Sequence, residues 1–140
     1  MSGQSHKKPV IGRREWFRIH ELGLDWVRGK IDTGARTSSL HATEIRSFDR
    51  DGREWVGFLT VDGLECEAPV VFEKRVKSSN GQPSTRYFVE VEAESLDGGK
   101  HLLLVSLTCR EAMKCPLLLG RRALTGFLVD SSRSQMLGRR

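Results

Sequence analysis

Apolar and polar residues alternate with a period of two over much of the chain, which is the pattern of strands that bury one face. The clearest runs are residues 15–19, 54–61, 64–72, 86–93 and 101–109. Between them stand the turn dipeptides Asp51-Gly52, Asp62-Gly63, Asn80-Gly81 and Asp97-Gly98. Short strands joined by tight turns predict an all-β barrel or sandwich. We expect helix only in brief pieces, at residues 121–125 and as an alternative at 110–113.

The length and composition of the chain favour a single domain. With 140 residues and 38% hydrophobic content, the chain can bury one core but not two substantial ones. Residues 1–9 are polar and basic, without the apolar core of a signal peptide, so we predict a disordered tail there and one domain over residues 10–140. The chain has no apolar run long enough to span a membrane.

The cysteines and the charge bear on location and partners. The chain has three unevenly spaced cysteines, Cys66, Cys109 and Cys115. An odd number at uneven spacing argues against a disulfide framework, so we predict a cytoplasmic protein. The net charge is +5, yet basic and acidic residues are mixed along most of the chain, with one basic cluster at residues 74–77. This mixture indicates a solvated surface more than a phosphate-binding face, so no nucleic-acid partner is predicted, although the charge could attract an acidic substrate.

The first candidate for chemistry is Asp32-Thr33-Gly34-Ala35, which follows the apolar-patterned stretch at residues 26–31. Aspartic proteases deliver their catalytic carboxylate from a strand into such a Thr-Gly turn, where Gly34 permits close approach of backbone. The same residues could instead form an ordinary Asp-containing turn that closes a hairpin. The motif therefore makes the chain a candidate peptidase with Asp32 as its acid.

A second motif begins at Pro116, where an apolar run leads into Gly120-Arg121 and what looks like one helical turn. Alone, it reads as a buried strand ended by glycine. About 85 residues separate the two motifs, and together they resemble a retroviral-type aspartic protease. The chain is similar to a bacterial family labelled retropepsin-like aspartic endopeptidase or, alternatively, ATP-dependent zinc protease. The resemblance rests on residues 10–16, 21–24, 30–42, 107–113, 117–124 and 128–130.

The resemblance implies a closed β-barrel of the acid-protease type with one short C-terminal helix. In such a site Asp32 is the catalytic acid and base, Thr33 hydrogen-bonds across a dimer, and Gly34 offers its carbonyl to the substrate. Ala35 would contact the substrate. The residues implied to support the site from beneath are Leu118, Leu119 and Gly120.

A single D-T-G supplies half of an aspartic protease site, because hydrolysis by this route uses two carboxylates that share a proton. The simplest completion is a two-fold homodimer in which Asp32 of each subunit faces the other across the axis. Asp130 could in principle act as an intramolecular second acid, but its setting is that of a strand end.

The polar segment at residues 77–84 lies between two strand patterns, where a retropepsin has its flap. A flap admits the peptide and then excludes water from the scissile bond. On this interpretation Ser79, Asn80 and Gly81 would contact the substrate, and the alternative is an ordinary exposed hairpin loop.

Arg36 departs from the retropepsin pattern, in which acidic residues after the motif pair with the arginine of Gly-Arg. Because Arg36 and Arg121 cannot pair with each other, we expect them to bind Glu44, Glu111 or a carboxylate of the substrate. Both are therefore candidate substrate-binding residues. The hypothesis that follows is a preference for acidic substrates such as a glutamate-rich tail.

The zinc and ATP of the alternative family label find little support in the residues. The four histidines form no H-E-x-x-H pair, and the only assembly worth considering is His41 with Cys109 and Cys115. Gly98-Gly99-Lys100-His101 lacks the features of a phosphate-binding loop, so we predict neither a metal nor another cofactor. An ATP link would run through a partner, and the resemblance implies an association with ATP-grasp ligases that add glutamate to proteins.

Two other classes of function stay open at this point. The fold could serve as a non-catalytic module that recognises a peptide in its cleft, or the chain could be a true metallopeptidase. Fold alone does not decide among them, because function resides in the site.

Overall fold

A computed structural model describes residues 8–77, 80–109 and 115–140. Twelve strands account for most of these residues. The strands are β1 (Val10–Gly12), β2 (Arg14–Ile19), β3 (Leu24–Ile31), β4 (Ser38–His41), β5 (Thr43–Arg50), β6 (Arg53–Leu59), β7 (Glu65–Pro69), β8 (Phe72–Lys77), β9 (Pro83–Ser95), β10 (Lys100–Thr108), β11 (Leu117–Leu119) and β12 (Leu128–Asp130). Single 3-10 turns occur at His20–Leu22 and Arg121–Leu124.

Six strands close into a barrel in the order β10-β4-β11-β3-β2-β9, with β9 pairing back onto β10. The short strand β11 lies between β3 and β4, parallel to the first and antiparallel to the second. The two strands on either side of β11 are those that enter and leave the loop of residues 32–37. The barrel thus brings the two sequence motifs together.

The barrel core follows from the alternation in the sequence. In β2, Phe17 and Ile19 point inward and are fully buried, and their neighbours Trp16 and Arg18 lie outside. Gly29 pairs with Glu15 across the hairpin and lies diagonally from Phe17, and a β-carbon at Gly29 would lie 2.7 Å from the Phe17 ring. The glycine therefore makes room for Phe17, one of the two largest fully buried side chains of the core.

A separate three-stranded antiparallel sheet, β5-β6-β7, follows β4. It buries Val56, Phe58 and Ala68 against the barrel core. Its first hairpin turns at Asp51-Gly52, where both residues have positive φ, as tight two-residue hairpins require.

Strands β8 and β9 form a hairpin that extends the sheet at its edge. Phe72 stacks on Phe88 with ring centroids 4.2 Å apart, at the point where β9 passes from its pairing with β8 into the barrel. The long strand β9 therefore serves both the barrel and the hairpin.

A buried carboxylate ties the C-terminal segment to the start of the barrel. β1 pairs in parallel with β12. Glu15, the second residue of the next strand β2, is 1% exposed. Its carboxylate accepts hydrogen bonds from the backbone N–H groups of Gly12 at 2.6 Å, Met136 at 2.9 Å and Leu137 at 3.0 Å. We call this arrangement the Glu15 clasp, because it holds residues 136–137 against the start of the barrel.

The predicted all-β barrel and its short helical turn after Gly120 are confirmed. The run at 64–72 is not one strand: β7 ends at Pro69 and β8 begins at Phe72, which pairs with a different sheet. The polar segment at 77–84 is shorter than expected, because β9 begins at Pro83. The alternative helix at 110–113 and most of the predicted tail lie outside the described residues. Over the described ranges, no helix combines the length and hydropathy needed to cross a membrane.

Candidate active site

Asp32 stands directly after the last residue of β3 and is half-buried. Its backbone N–H donates to the carbonyl of Leu119 at 2.9 Å, which continues the β3–β11 pairing by one residue. The N–H of Gly34 donates to Asp32 Oδ1 at 2.9 Å, and the N–H of Ala35 donates to the Asp32 carbonyl at 3.2 Å. These bonds fix the Asp32 carboxylate on a tight turn while Thr33 and Gly34 stay exposed.

The segment after β11 holds the far side of the same loop. The Arg121 N–H donates to the Ala35 carbonyl at 2.7 Å, and the Gly120 N–H donates to Ser38 Oγ at 3.1 Å. A β-carbon on Gly120 would collide with the carbonyl of Thr37 and lie 2.9 Å from that of Ala35. Glycine is therefore required by the close approach of two backbone segments. We refer to residues 32–38 and 119–122 together as the Asp32 framework.

Leu118 and Leu119 place the apolar strand β11 behind the Asp32 loop. Both are buried, at 4% and 1% exposed, and β11 pairs them with Lys30 and Ile31 of β3. The Leu119 carbonyl that accepts the Asp32 N–H thus belongs to a packed apolar strand, which limits its movement.

Among the described residues, no second carboxylate is hydrogen-bonded to Asp32. The Asp32 carboxylate accepts one hydrogen bond there, from the N–H of Gly34. Asp130 ends β12 and accepts hydrogen bonds from the backbone and the hydroxyl of Ser132. These bonds, with Arg133 nearby, lower the pKa of the Asp130 carboxyl. Its geometry is that of a turn acceptor at a strand end.

Positive side chains surround the loop. Lys30, Arg36, Arg121 and Arg122 are all exposed. In the described part of the chain no ion pair engages any of them, so the expected partner Glu44 is not used. Glu111, the other expected partner, lies outside the described residues. Within the described residues, the loop therefore offers cations without an ion-pair partner next to one acid, Asp32.

Asn80 and Gly81 occupy the tip of the β8–β9 hairpin and belong to different elements from the Asp32 framework. Gly81 has φ +81°, and the N–H of Gln82 donates to Asn80 Oδ1 at 3.1 Å. The predicted site residue Ser79 lies outside the described residues. The hairpin itself is present where the sequence placed a flap.

Within residues 8–77, 80–109 and 115–140, the histidines and cysteines do not form a metal site. No three His, Cys, Asp or Glu side chains of these ranges lie close enough together to hold a metal ion. His41 lies on β4, Cys109 is exposed and Cys115 is buried. The residues considered for zinc therefore do not provide the three-ligand set that a catalytic zinc needs.

The sequence profile of a family described as RimB-like, retropepsin-like aspartic endopeptidase RimB, matches residues 10–140. The chain belongs to this RimB-like family. The match includes both motifs of the Asp32 framework.

Longer proteins also contain sequences similar to this RimB-like chain. A "Probable alpha-L-glutamate ligase" of Shewanella pealeana is 39% identical over 96% of the chain and 31% of the relative. A protein of the same name from Desulfotalea psychrophila is 35% identical over 90% of the chain and 28% of the relative. The chain thus spans about a third of the length of these curated relatives.

A solved structure shares the RimB-like fold. The Legionella pneumophila protein Lpg0085, described as of unknown function, superposes with a TM-score of 0.77 at 26% identity, covering 94% of this chain and 99% of that one. The barrel and its additional sheet are therefore not peculiar to this sequence.

Three contributors to the site were not predicted from the sequence. Ser38 anchors Gly120, and Lys30 and Arg122 add to the positive charge at the loop. Lys30 could have been found, since it alternates with the buried Gly29 and Ile31 and precedes Asp32 by two residues. The role of Ser38 depends on the β4–β11 pairing, which is a long-range feature.

Proposed function

We propose that this chain is one subunit of a homodimeric aspartic endopeptidase that hydrolyses peptide bonds with two copies of Asp32. The observation that carries the proposal is the Asp32 framework, in which a half-buried carboxylate is fixed on a tight turn by backbone bonds to β11. The family of the chain supports the same chemistry. A partner subunit would supply the second carboxylate that the described residues lack next to Asp32.

In the proposed dimer two Asp32 carboxylates face each other and hold one proton between them, because two like charges at close range cannot both ionise. The ionised carboxylate takes a proton from water, and the water oxygen forms a bond to the scissile carbonyl carbon. The protonated carboxylate gives its proton to the carbonyl oxygen. Collapse of the tetrahedral intermediate breaks the C–N bond as the amine receives a proton.

The remaining roles follow from position. Thr33 braces the two loops across the dimer axis, and Gly34 and Ala35 present backbone to the substrate. We assign the flap to the tip of the β8–β9 hairpin, with contacts from Ser79, Asn80 and Gly81. Leu118, Leu119 and Gly120 hold the loop from behind, as their packing and hydrogen bonds indicate.

We propose an acidic polypeptide as the substrate, bound in part by Arg36 and Arg121. The free cations around the loop support this choice, since a carboxylate bound to a guanidinium gains paired hydrogen bonds. The relatives named for glutamate ligation support it as well, because they carry a similar sequence within one longer protein. We therefore propose a functional link to an ATP-dependent glutamate ligase. The free cysteines suit action in the cytoplasm.

The test is mass-spectrometric digestion of a peptide library that includes glutamate-rich peptides, with wild type and Asp32→Asn, each with and without a strong chelator. We expect cleavage that is lost in Asp32→Asn and indifferent to the chelator. Cleavage that survives Asp32→Asn and stops with chelator would establish a metallopeptidase. Binding of peptides without cleavage by the wild type would favour the non-catalytic module.

A further inference from the structure

The outer face of the β2–β3 hairpin concentrates arginine and tryptophan. In β2, and in β3 from Trp26 onward, odd positions face the core and even positions face outward. Leu24 and Asp25, next to the register shift between the strands, have the opposite arrangement. Arg14 pairs with Lys30 and Trp16 with Arg28 across the hairpin. We define the basic–aromatic face by its outward residues and one residue of the C-terminal segment that reaches it: Arg14, Trp16, Trp26, Arg28, Lys30 and Arg140.

The guanidinium groups on this face are held over the indole rings. Arg28 lies 5.1 Å from the ring centroid of Trp16, and Arg140 lies 5.4 Å from Trp16 and 6.0 Å from Trp26. Trp16 Nε1 in turn donates to Gln135 Oε1 at 3.3 Å. Cation–π contact orients a guanidinium but leaves its N–H donors, which lie in its plane, free to bind an anion.

Among the described residues, no acid forms an ion pair with these cations. The neighbouring Arg18 is paired with Glu94 at 2.9 Å, but no ion pair involves Arg14, Arg28, Lys30 or Arg140 in the described part of the chain. Glu15, on the same strand as Arg14, points inward, and its carboxylate accepts hydrogen bonds from three backbone N–H groups. Four uncompensated positive charges thus share one surface.

The basic–aromatic face runs directly into the candidate catalytic loop. Lys30 precedes Asp32 by two residues, so both lie on the same side of the β3 direction, roughly 6.7 Å apart. Residues on one face of a strand are spaced roughly 6.7 Å apart, and alternate side chains of an extended peptide have the same spacing. An extended acidic chain lying along the hairpin could therefore match its carboxylates to successive cations.

We propose that the basic–aromatic face is an exosite that binds an acidic stretch of the polypeptide substrate outside the cleft and leads it to Asp32. The inference rests on the proposed function and adds a binding surface to it. An acidic polypeptide fits better than a single-stranded nucleic acid, because nucleic-acid binding of this kind needs open aromatic faces for the bases. Here guanidinium groups lie over both indole rings.

The test measures binding in the inactive Asp32→Asn protein, so that it does not depend on cleavage. The probe is a fluorescent glutamate peptide of about ten residues, which is roughly 33 Å long when extended and exceeds the face. We compare Arg14→Gln/Arg28→Gln with Arg53→Gln/Lys100→Gln, a control that removes two exposed charges elsewhere. Circular dichroism and thermal midpoints verify that all variants are folded.

We expect the face variant to weaken binding at least roughly tenfold, since two charge-assisted contacts are lost, and the control to change it less than about twofold. Arg28→Lys keeps the charge but not the planar donors, and should bind more weakly than the parent protein. Equal losses in both double variants, or no loss in either, would overturn the exosite. Tighter binding of a single-stranded RNA than of the glutamate peptide would overturn it in favour of a nucleic-acid surface.

Cleavage separates this inference from the proposed function. In the active protein the face variant should lower kcat/KM for a long acidic peptide but not for a short one that fills only the cleft. Face-dependent binding without any cleavage by the wild type would contradict the proposed peptidase and leave the binding surface established.

Discussion

Asp32 and Glu15 are two carboxylates at the open end of the β2–β3 hairpin, and their surroundings differ in a way that separates chemistry from stability. Glu15 is fully enclosed and its oxygens accept three backbone N–H groups. Asp32 is half-buried and accepts one such bond among the described residues, within its own turn. A buried carboxylate with both oxygens bound to backbone N–H groups holds the chain together. One that keeps lone pairs free on a rigid turn can bind water and exchange a proton.

The largest expected effect comes from Asp32→Asn. Because the amide cannot exchange the proton, peptide cleavage should fall by roughly 10²–10⁴-fold or more. The free energy of unfolding should change by less than about 0.5 kcal/mol, since the side chain is partly exposed and makes few contacts. Cleavage kinetics and urea denaturation on the same preparation measure both. A large loss of stability would show that Asp32 is a structural acid.

Glu15→Gln should produce the reverse result. Glutamine offers one acceptor oxygen where three donors converge, so we expect a loss of roughly 2–3 kcal/mol in the free energy of unfolding. Activity per folded molecule should be retained. Glu90→Gln, an exposed change of the same kind on β9, serves as the control in urea denaturation. Equal stability of the two variants would contradict the Glu15 clasp.

A substitution at Gly120 tests whether the Asp32 loop depends on its close contact with the segment after β11. A β-carbon there would collide with the Thr37 carbonyl, so Gly120→Ala should cost about 1–3 kcal/mol of stability and displace the loop. Gly126→Ala is the matched control, because its β-carbon would meet nothing within 4 Å. Thermal unfolding and cleavage rates measure the two consequences. Full activity in Gly120→Ala would show that the loop does not depend on β11.

The pH dependence of stability provides a further test, through the half-buried His101. His101 lies between Phe17 and Phe127, and burial lowers its pKa below 6.5, opposed by Asp97. The unfolded chain therefore binds the proton first as the pH falls, and stability should decline from about pH 6.5 downward until the folded pKa is reached. Thermal midpoints across this range should flatten in His101→Gln. An unchanged slope would assign the decline to other groups.

The Ser95–Asp97–His101 group is structural despite its composition. Ser95 is fully buried, and its hydroxyl donates directly to Asp97. The hydroxyl cannot reach a substrate, and the group braces the β9–β10 turn.

The smallest expected effect concerns substrate preference. Arg36 is exposed, so Arg36→Ala should reduce the preference for acidic over neutral peptides by roughly two- to fivefold, the range of an exposed ion pair. Cleavage profiles of the same library measure the change, with Arg53→Ala as the control. An unchanged profile would remove Arg36 from substrate selection.

Local signals in the sequence were enough for much of this picture. The Asp32 turn, the Gly120 stop and the hairpin turns at Asp51-Gly52 and Asp97-Gly98 each depend on neighbouring residues and could be predicted. Strand β5 could not, because its side chains are exposed or half-buried throughout and show no clear alternation. Its place is set by pairing with β6.

Long-range contacts explain what else was missed. Glu15 occupies a position where the alternation of β2 demands an apolar residue, and that conflict was the available signal of a buried acid. Its donors come from residues 136–137, more than a hundred positions away, so the clasp itself could not be read from the sequence. The exposed cations of the loop likewise depend on β11 bringing residues 121 and 122 beside residues 35 and 36.

The central claim is that two subunits share one site, and subunit mixing tests it most directly. Wild-type protein at fixed concentration is mixed with increasing Asp32→Asn protein, allowed to exchange, and assayed on a cleavable acidic peptide. We predict that activity per wild-type subunit falls toward zero as mixed dimers form, because each mixed dimer has only one Asp32. Activity that stays constant across the series would mean that one chain contains a complete site, which would contradict the account.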